Sequence, residues 1–181
     1  MSPQITISPA TFGRLQKYAV PLIDDIDMVL NKVMDLAESK QGAPSPTGNV
    51  KDFSAGAAPN LTFTKLLSAE VGGKTLGKNE TTWNHLLIEA VNQAAAKLND
   101  VNALKRLIIA NHVVGKKDTQ GYRFIPAAGV SVQGQDAIGA WKATSHILKS
   151  LHIPAEVVFV WYDSEKAAHP GLTGKFMLNK S

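Results

Sequence analysis

Four polar residues in a short turn, Gln133-Gly134-Gln135-Asp136, have the chemistry of a nucleic-acid contact. An amide side chain offers a donor and an acceptor together, which matches the pattern on a base edge in a groove of DNA. Gly134 lets the backbone approach a ligand closely, and the amides that open the following helix favour phosphate oxygens. Asp136 repels phosphate unless its carboxylate caps that helix. The turn is therefore a candidate DNA contact, although ordinary turns use the same residues.

Basic loops provide the second candidate contact. Residues 72–79 combine three glycines with two lysines and a threonine just before a predicted helix, a composition able to cradle a phosphate. They are not a Walker A motif, because the GxxxxGK[ST] spacing is absent, and a solvated loop without a ligand fits them equally well. A pair of lysines between a helix and a strand adds a further basic point. The candidate DNA contacts are Lys74, Thr75, Lys78, Lys116, Lys117, Gln133, Gly134, Gln135 and Asp136.

Catalytic motifs are missing from the sequence. With no cysteine there is no disulfide, thiolate zinc site or cysteine nucleophile, and neither GxSxG nor SxxK occurs. Glu165 and Lys166 lack the intervening residue of a nuclease (D/E)xK motif. His85 and Glu89 have the i, i+4 spacing of two metal ligands on a helix, but a helix-surface pair is the commoner outcome. The protein is therefore predicted to be non-enzymatic, without cofactor or metal.

The net positive charge lies in the C-terminal two-thirds of the chain. The 181 residues include 19 Lys and Arg against 15 Asp and Glu, a formal net charge of +4. Residues 1–60 hold five basic and six acidic residues, and residues 61–181 hold fourteen and nine, so the net charges are −1 and +5. A polyanion such as double-stranded DNA is therefore expected to bind mainly to residues 61–181.

The elements that must position the candidate contacts form one predicted domain, residues 61–181. The clearest patterns are a helix after Thr82, a shorter helix from Val101 to Ala110, strands over 121–125, 129–133 and 156–162, and a helix capped by Asp136. The three tryptophans fall on apolar faces and are predicted to be core. Residues 167–181 are Gly-rich and weakly patterned.

Residues 39–60 are rich in Pro, Gly, Ala and Ser, with Val50 and Phe53 as their large apolar residues. Such a segment cannot bury enough apolar surface to offset the entropy of ordering it. The composition predicts a flexible linker that joins residues 1–38 to the larger domain.

The N-terminal 38 residues have the pattern of one strand and two helices. Alone, they would leave a strand edge unpaired and apolar helix faces exposed, which a twofold dimer covers. The pattern resembles a ribbon-helix-helix unit, and dimerisation is favoured over base reading because no basic residue faces outward from the strand. The predicted fold class is α+β: a small ribbon-helix-helix-like dimerisation unit, a flexible linker, then a larger helical domain with a small sheet. The predicted dimer contacts are Ile5, Ile7, Phe12, Leu15, Val29, Leu30 and Val33.

The sequence resembles the SeqA family of replication regulators. Residues 5–7 with the two helices are similar to the family's oligomerisation unit, and residues 146–157 are similar to its closing helix and Pro-Ala-Glu. Gly73-Lys74-Thr75 resembles the opening of the first DNA-contacting loop of that family, and residues 133–136 fall where its second loop lies. The resemblance implies a cytoplasmic, nucleoid-associated protein that binds hemimethylated GATC sites. It also implies that Lys74, Thr75, Gln133, Gln135 and Asp136 lie at the DNA surface.

These patterns together predict a dimer that binds double-stranded DNA in a sequence- or modification-dependent way and regulates replication or organises DNA. Residues 1–38 would form the homodimer, with higher oligomers as an option. Two alternatives stay open: a nuclease or a restriction or defence-system component that recognises DNA, and a ribbon-helix-helix repressor whose C-terminal domain binds a partner. No apolar run approaches the roughly 20 residues of a membrane span, and no secretory signal is present, so a cytoplasmic protein without a membrane partner is expected.

Overall fold

The computed structural model describes residues 50–179, so the predicted dimer contacts between Ile5 and Val33 lie outside the described residues. The described part contains three α-helices and eight β-strands, and the strands form two sheets. The helices are α1 (Trp83–Leu98), α2 (Val101–Leu107) and α3 (Ala137–Ser150). The strands are β1 (Lys51–Phe53), β2 (Thr64–Val71), β3 (Lys74–Thr75), β4 (His112–Val114), β5 (Tyr122–Ile125), β6 (Val130–Gln133), β7 (Ala155–Trp161) and β8 (Thr173–Leu178). None of the helices in residues 50–179 has the length and apolar character that crossing a membrane requires.

The larger sheet has five strands in the order β1-β8-β7-β2-β3. Its centre is antiparallel: β7 pairs with β2 on one side and with β8 on the other, and β1 adds to β8 in parallel. The smaller sheet has the order β4-β6-β5 and is antiparallel throughout. A short 3-10 turn, Pro126–Ala128, joins β5 to β6.

The prediction of a larger helical domain with a small sheet is wrong, because residues 50–179 contain eight strands and three helices. Two strands of the larger sheet lack the alternating pattern by which a strand is recognised in a sequence. In β2 a bulge between Leu66 and Ser68 breaks the alternation of buried and exposed residues that identifies a strand. In β8 the buried positions are Gly174 and Phe176, and a glycine contributes no apolar side chain to the pattern. The described domain is therefore built on a five-stranded sheet.

Aromatic side chains from the larger sheet and from two helices form the centre of the core. Trp141 of α3 stacks on Phe176 with ring centroids 4.3 Å apart, and Phe176 contacts Phe159 at 4.7 Å. Trp83 of α1 meets Trp141 edge to face at 6.2 Å. The prediction that all three tryptophans are core residues is confirmed, since Trp83, Trp141 and Trp161 are buried. These contacts fix α1 and α3 against the sheet.

Strand β1 lies within residues 39–60, which their composition predicted to be a linker. Lys51, Asp52 and Phe53 pair with Gly174, Lys175 and Phe176 of β8. The ring of Phe53 lies 5.4 Å from that of Trp161, in an edge-on arrangement. Residues 51–53 therefore belong to the sheet, and the linker prediction does not hold for them.

Candidate nucleic-acid interface

A cleft of about 260 Å³ lies between the start of α1 and the strands β5 and β6 of the smaller sheet. Its polar lining comes from both walls: Thr82, Asn84 and His85 at the start of α1, and Arg123 and Gln133 on the strands. Thr82 precedes the first helical residue, and its Oγ1 accepts a hydrogen bond from the backbone N–H of His85 at 3.2 Å. This N-cap satisfies one of the amides that have no partner in the first turn of a helix. The cap fixes the position of His85 at the cleft.

His85 links the two walls of the cleft. Arg123 Nη1 lies 2.7 Å from His85 Nε2, and His85 Nδ1 lies 2.9 Å from Thr82 Oγ1. A guanidinium only donates hydrogen bonds, so His85 Nε2 must accept and the ring proton sits on Nδ1, from which it is donated to Thr82. Through this hydrogen bond the imidazole orients the exposed Arg123 side chain.

The turn at residues 133–136 is held by hydrogen bonds within the protein. Asn84 bonds both backbone groups of Gln135, and the side chain of Gln135 donates to the Gln133 carbonyl at 3.0 Å. The Gln133 amide accepts from Asn111 at 2.9 Å and donates to the Gln120 carbonyl at 3.1 Å. Both glutamine amides therefore position the turn in this structure, whereas the sequence suggested that they read base edges.

Asp136 has the capping role that the sequence predicts. Its Oδ1 accepts a hydrogen bond from the backbone N–H of Gly139 at 2.7 Å, at the start of α3. A carboxylate in this position interacts favourably with the positive end of the helix dipole. Gly134 donates its backbone N–H to the Gly121 carbonyl at 2.9 Å, which connects the turn to the loop before β5.

A buried serine fixes the loop that carries Lys116 and Lys117. Ser131 Oγ accepts from the Lys117 backbone N–H at 2.8 Å and donates to the Gly115 carbonyl at 2.7 Å. Lys117 Nζ lies 4.0 Å from the centre of the Tyr122 ring, a cation–π contact. Lys116 Nζ lies 3.3 Å from the carboxylate of Asp118. The loop therefore brings Lys117 beside β5, where Tyr122 directly precedes Arg123.

The remaining predicted contacts lie in and after a hairpin that does not line the cleft. Gly72 and Gly73 form its two-residue turn with φ values of 59° and 84°, a conformation that favours glycine. Thr75 and Lys78 are exposed, on β3 and in the loop that follows it. Lys74 Nζ lies 2.7 Å from Oε2 of the buried Glu89, and this hydrogen bond raises the pKa of the Lys74 ammonium. Much of the Lys74 charge is therefore balanced within the protein.

Glu89 and His85, whose i, i+4 spacing would allow both to bind one metal ion, have different hydrogen-bond partners. Glu89 accepts from Lys74 and, at 2.9 Å, from the side chain of Gln93, whereas His85 bonds Arg123 and Thr82. Across residues 50–179, no group of three or more His, Cys, Asp or Glu side chains could hold a metal ion.

Sequence reasoning missed Asn84 and Arg123, and it considered His85 only as a metal ligand. A detectable signal was present at α1, because a capping threonine three residues before a histidine places that histidine in the first helical turn. No local pattern indicates that Arg123, 38 residues away, contacts it.

Comparison with known proteins identified no related protein. No protein-family model matches the chain, and neither a curated protein nor a solved structure matches it. The resemblance to the SeqA family therefore stays a prediction from the sequence.

Proposed function

We propose that the protein binds double-stranded DNA, and that the surface around the cleft makes the contacts. The supporting observation is that two of the sequence-predicted segments are joined by hydrogen bonds. Gln133 and Gly134 bond the carbonyls of Gln120 and Gly121, which end the loop that carries the lysines. Arg123 follows two residues later on β5 and lines the cleft together with Gln133 and Gly134. Lys117 contacts the ring of the preceding residue, Tyr122.

The chemistry of this surface favours contact with the phosphate backbone. Lysine and arginine donors bind phosphate oxygens and position a protein on the duplex without reading its sequence. The net charge of +5 over residues 61–181 supports attraction to a polyanion. The two glutamine amides are engaged within the protein, so base reading would require them to exchange partners.

The wider proposal follows the family resemblance. A homodimer formed through residues 1–38 would tether two DNA-binding domains and raise their combined affinity. Regulation of replication, or organisation of DNA, is the role that a SeqA-like arrangement implies. Preference for hemimethylated GATC is the property that separates this role from general DNA binding.

Fluorescence anisotropy of the full chain with a labelled duplex tests the proposal. We expect affinity to fall steeply as salt rises, because each phosphate contact releases counterions. Arg123→Gln and Lys117→Gln should each reduce the slope of log K against log salt by about 0.9. Lys142→Gln removes the same charge from an exposed position on α3 that does not line the cleft, and it should leave the slope unchanged.

The same duplex in unmodified, hemimethylated and fully methylated forms separates the narrower claims. A tenfold preference for the hemimethylated form, about 1.4 kcal/mol, would support the SeqA-like role. Equal binding would leave a DNA-binding protein without methylation sensing. Absence of binding even at low salt would remove DNA binding altogether.

A further inference from the structure

We propose that the cleft between α1 and the smaller sheet binds one phosphate-bearing ligand of nucleotide size, with Arg123 as its charged contact. This inference deepens the proposed DNA binding and rests on it for one point, the origin of the nucleotide. A nucleotide can reach the cleft as a phosphodiester unit of a DNA strand whose base has left the stack, or as a free nucleoside monophosphate. Both present phosphate oxygens to Arg123.

The polar groups left for a ligand at the cleft are mainly donors. A guanidinium has five N–H donors, and among the described residues Arg123 bonds His85 alone. The hydroxyl of Thr82 accepts from His85 twice, which leaves its proton available to donate. The side-chain acceptors of Asn84 and Gln133 already receive hydrogen bonds. A cleft that offers donors and a positive charge fits an anion.

Phosphate fits this donor set better than a neutral ligand does. The planar fork of an arginine matches two oxygens of a phosphate, and such charge-assisted bonds are about twice as strong as neutral ones. Among the described residues that line the cleft, none carries a carboxylate that would repel the anion. The hydrogen bond from Arg123 to His85 keeps the guanidinium in place at the cleft.

The size of the cleft indicates more than a bare phosphate. Its volume of about 260 Å³ lies just below the roughly 300 Å³ at which pockets for drug-sized ligands begin. Leu87, Ile88 and Val132 supply apolar lining beside the polar groups. A sugar and base can pack on these aliphatic side chains while the phosphate meets Arg123. Because the nearby amides are engaged, binding should depend on the phosphate and discriminate little between bases.

Calorimetric titration of the full chain with deoxyadenosine monophosphate, inorganic phosphate and deoxyadenosine tests the site. We expect the monophosphate to bind at least tenfold more tightly than deoxyadenosine, which lacks the phosphate. Arg123→Gln should lower the affinity for the monophosphate at least tenfold, and Arg123→Lys should retain part of that affinity. Arg106→Gln, the same change at an exposed position outside the cleft, should have no effect.

The role of His85 can be separated from the role of Arg123. We infer that His85 is a positioning residue, which acts by accepting a hydrogen bond from the arginine. His85→Gln supplies an acceptor and should retain more of the monophosphate affinity than His85→Ala, with both variants folded by circular dichroism. Equal affinities for the two variants would overturn the positioning role. Equal affinity of wild type and Arg123→Gln for the monophosphate would overturn the site itself.

Competition between the monophosphate and a labelled duplex identifies the source of the ligand. Displacement of the duplex at the concentrations that saturate the cleft would support a nucleotide of DNA as the occupant. Binding of the monophosphate with no duplex binding would support the cleft and overturn the proposed function. Binding of the duplex with no binding of the monophosphate or of phosphate would overturn the cleft proposal and leave DNA binding standing.

Discussion

Asn84 in α1 forms two hydrogen bonds with the backbone of Gln135, in the turn that precedes α3. Its Oδ1 accepts from the Gln135 N–H at 2.8 Å, and its Nδ2 donates to the Gln135 carbonyl at 3.0 Å. One side chain thus satisfies both backbone groups of a residue 51 positions later. The pair fixes the turn that leads into α3 against the start of α1.

Asn84→Ala should destabilise the domain by about 1–3 kcal/mol, because it leaves two partly buried backbone groups without their partner. Urea unfolding followed by circular dichroism measures the loss. Asn102→Ala, at an exposed position in α2, provides the matched control and should change stability by less than about 0.5 kcal/mol. Equal stability of the two variants would mean that water replaces Asn84 without cost.

Lys74 should make the free energy of unfolding depend on alkaline pH. Its hydrogen bond with Glu89 raises its pKa above the ordinary 10.5, so the stabilisation is complete below about pH 10.5 and is lost as pH rises through the folded-state pKa. The loss should stay below about 1 kcal/mol because the lysine is largely exposed. Urea unfolding between pH 8 and pH 11 tests this, and Lys74→Met should flatten the profile. If the profile of Lys74→Met were as steep as that of wild type, Lys74 would not be the source of the pH dependence.

Gly174→Ala should destabilise the larger sheet. A Cβ at this position would lie 2.6 Å from Cζ of the buried Phe159 ring, closer than any ordinary contact. Shifting that ring disturbs the aromatic core, so a loss of about 1–3 kcal/mol is expected in thermal or urea unfolding. Gly134→Ala is the control, since its added Cβ has ordinary contacts of 3.6 Å or more.

Phe53→Ala should lower stability by about 2 kcal/mol, because the ring packs on Trp161 and Phe159. Met177→Ala, at an exposed position on the neighbouring β8, should have a smaller effect. Urea unfolding of both variants checks the comparison. If Phe53→Ala were neutral, residues 51–53 would behave as the linker that their composition predicts.

The sequence predicted the elements in which apolar residues recur at a regular spacing and in which a capping or turn residue marks the boundary. The helix after Thr82 and the helix capped by Asp136 are confirmed as α1 and α3, and the strands at 121–125 and 129–133 are confirmed as β5 and β6. The strands β2 and β8 were not predicted, because a bulge and a buried glycine remove the alternation on which strand prediction depends.

For the candidate site, the sequence could supply residue types but not partners. It identified the turn at 133–136 and the capping of a helix by Asp136, both of which depend on neighbours in the chain. It could not show that Glu89 engages Lys74, or that Asn84 and Asn111 bond the turn, because these contacts join distant segments. The sequence could therefore predict the local chemistry, but it could not predict which side chains remain free to bind a ligand.

The pairing of the larger sheet has a consequence for how the protein is made. Ala69 of β2 pairs with Val157, and Lys51 of β1 pairs with Gly174, so both strands depend on segments that come much later in the chain. Such distant pairing requires a large loop to close before its contacts form, which slows folding. As the chain emerges from the ribosome, β1 and β2 are synthesised long before their partners. We expect the five-stranded sheet to assemble only after β7 and β8 have emerged from the ribosome.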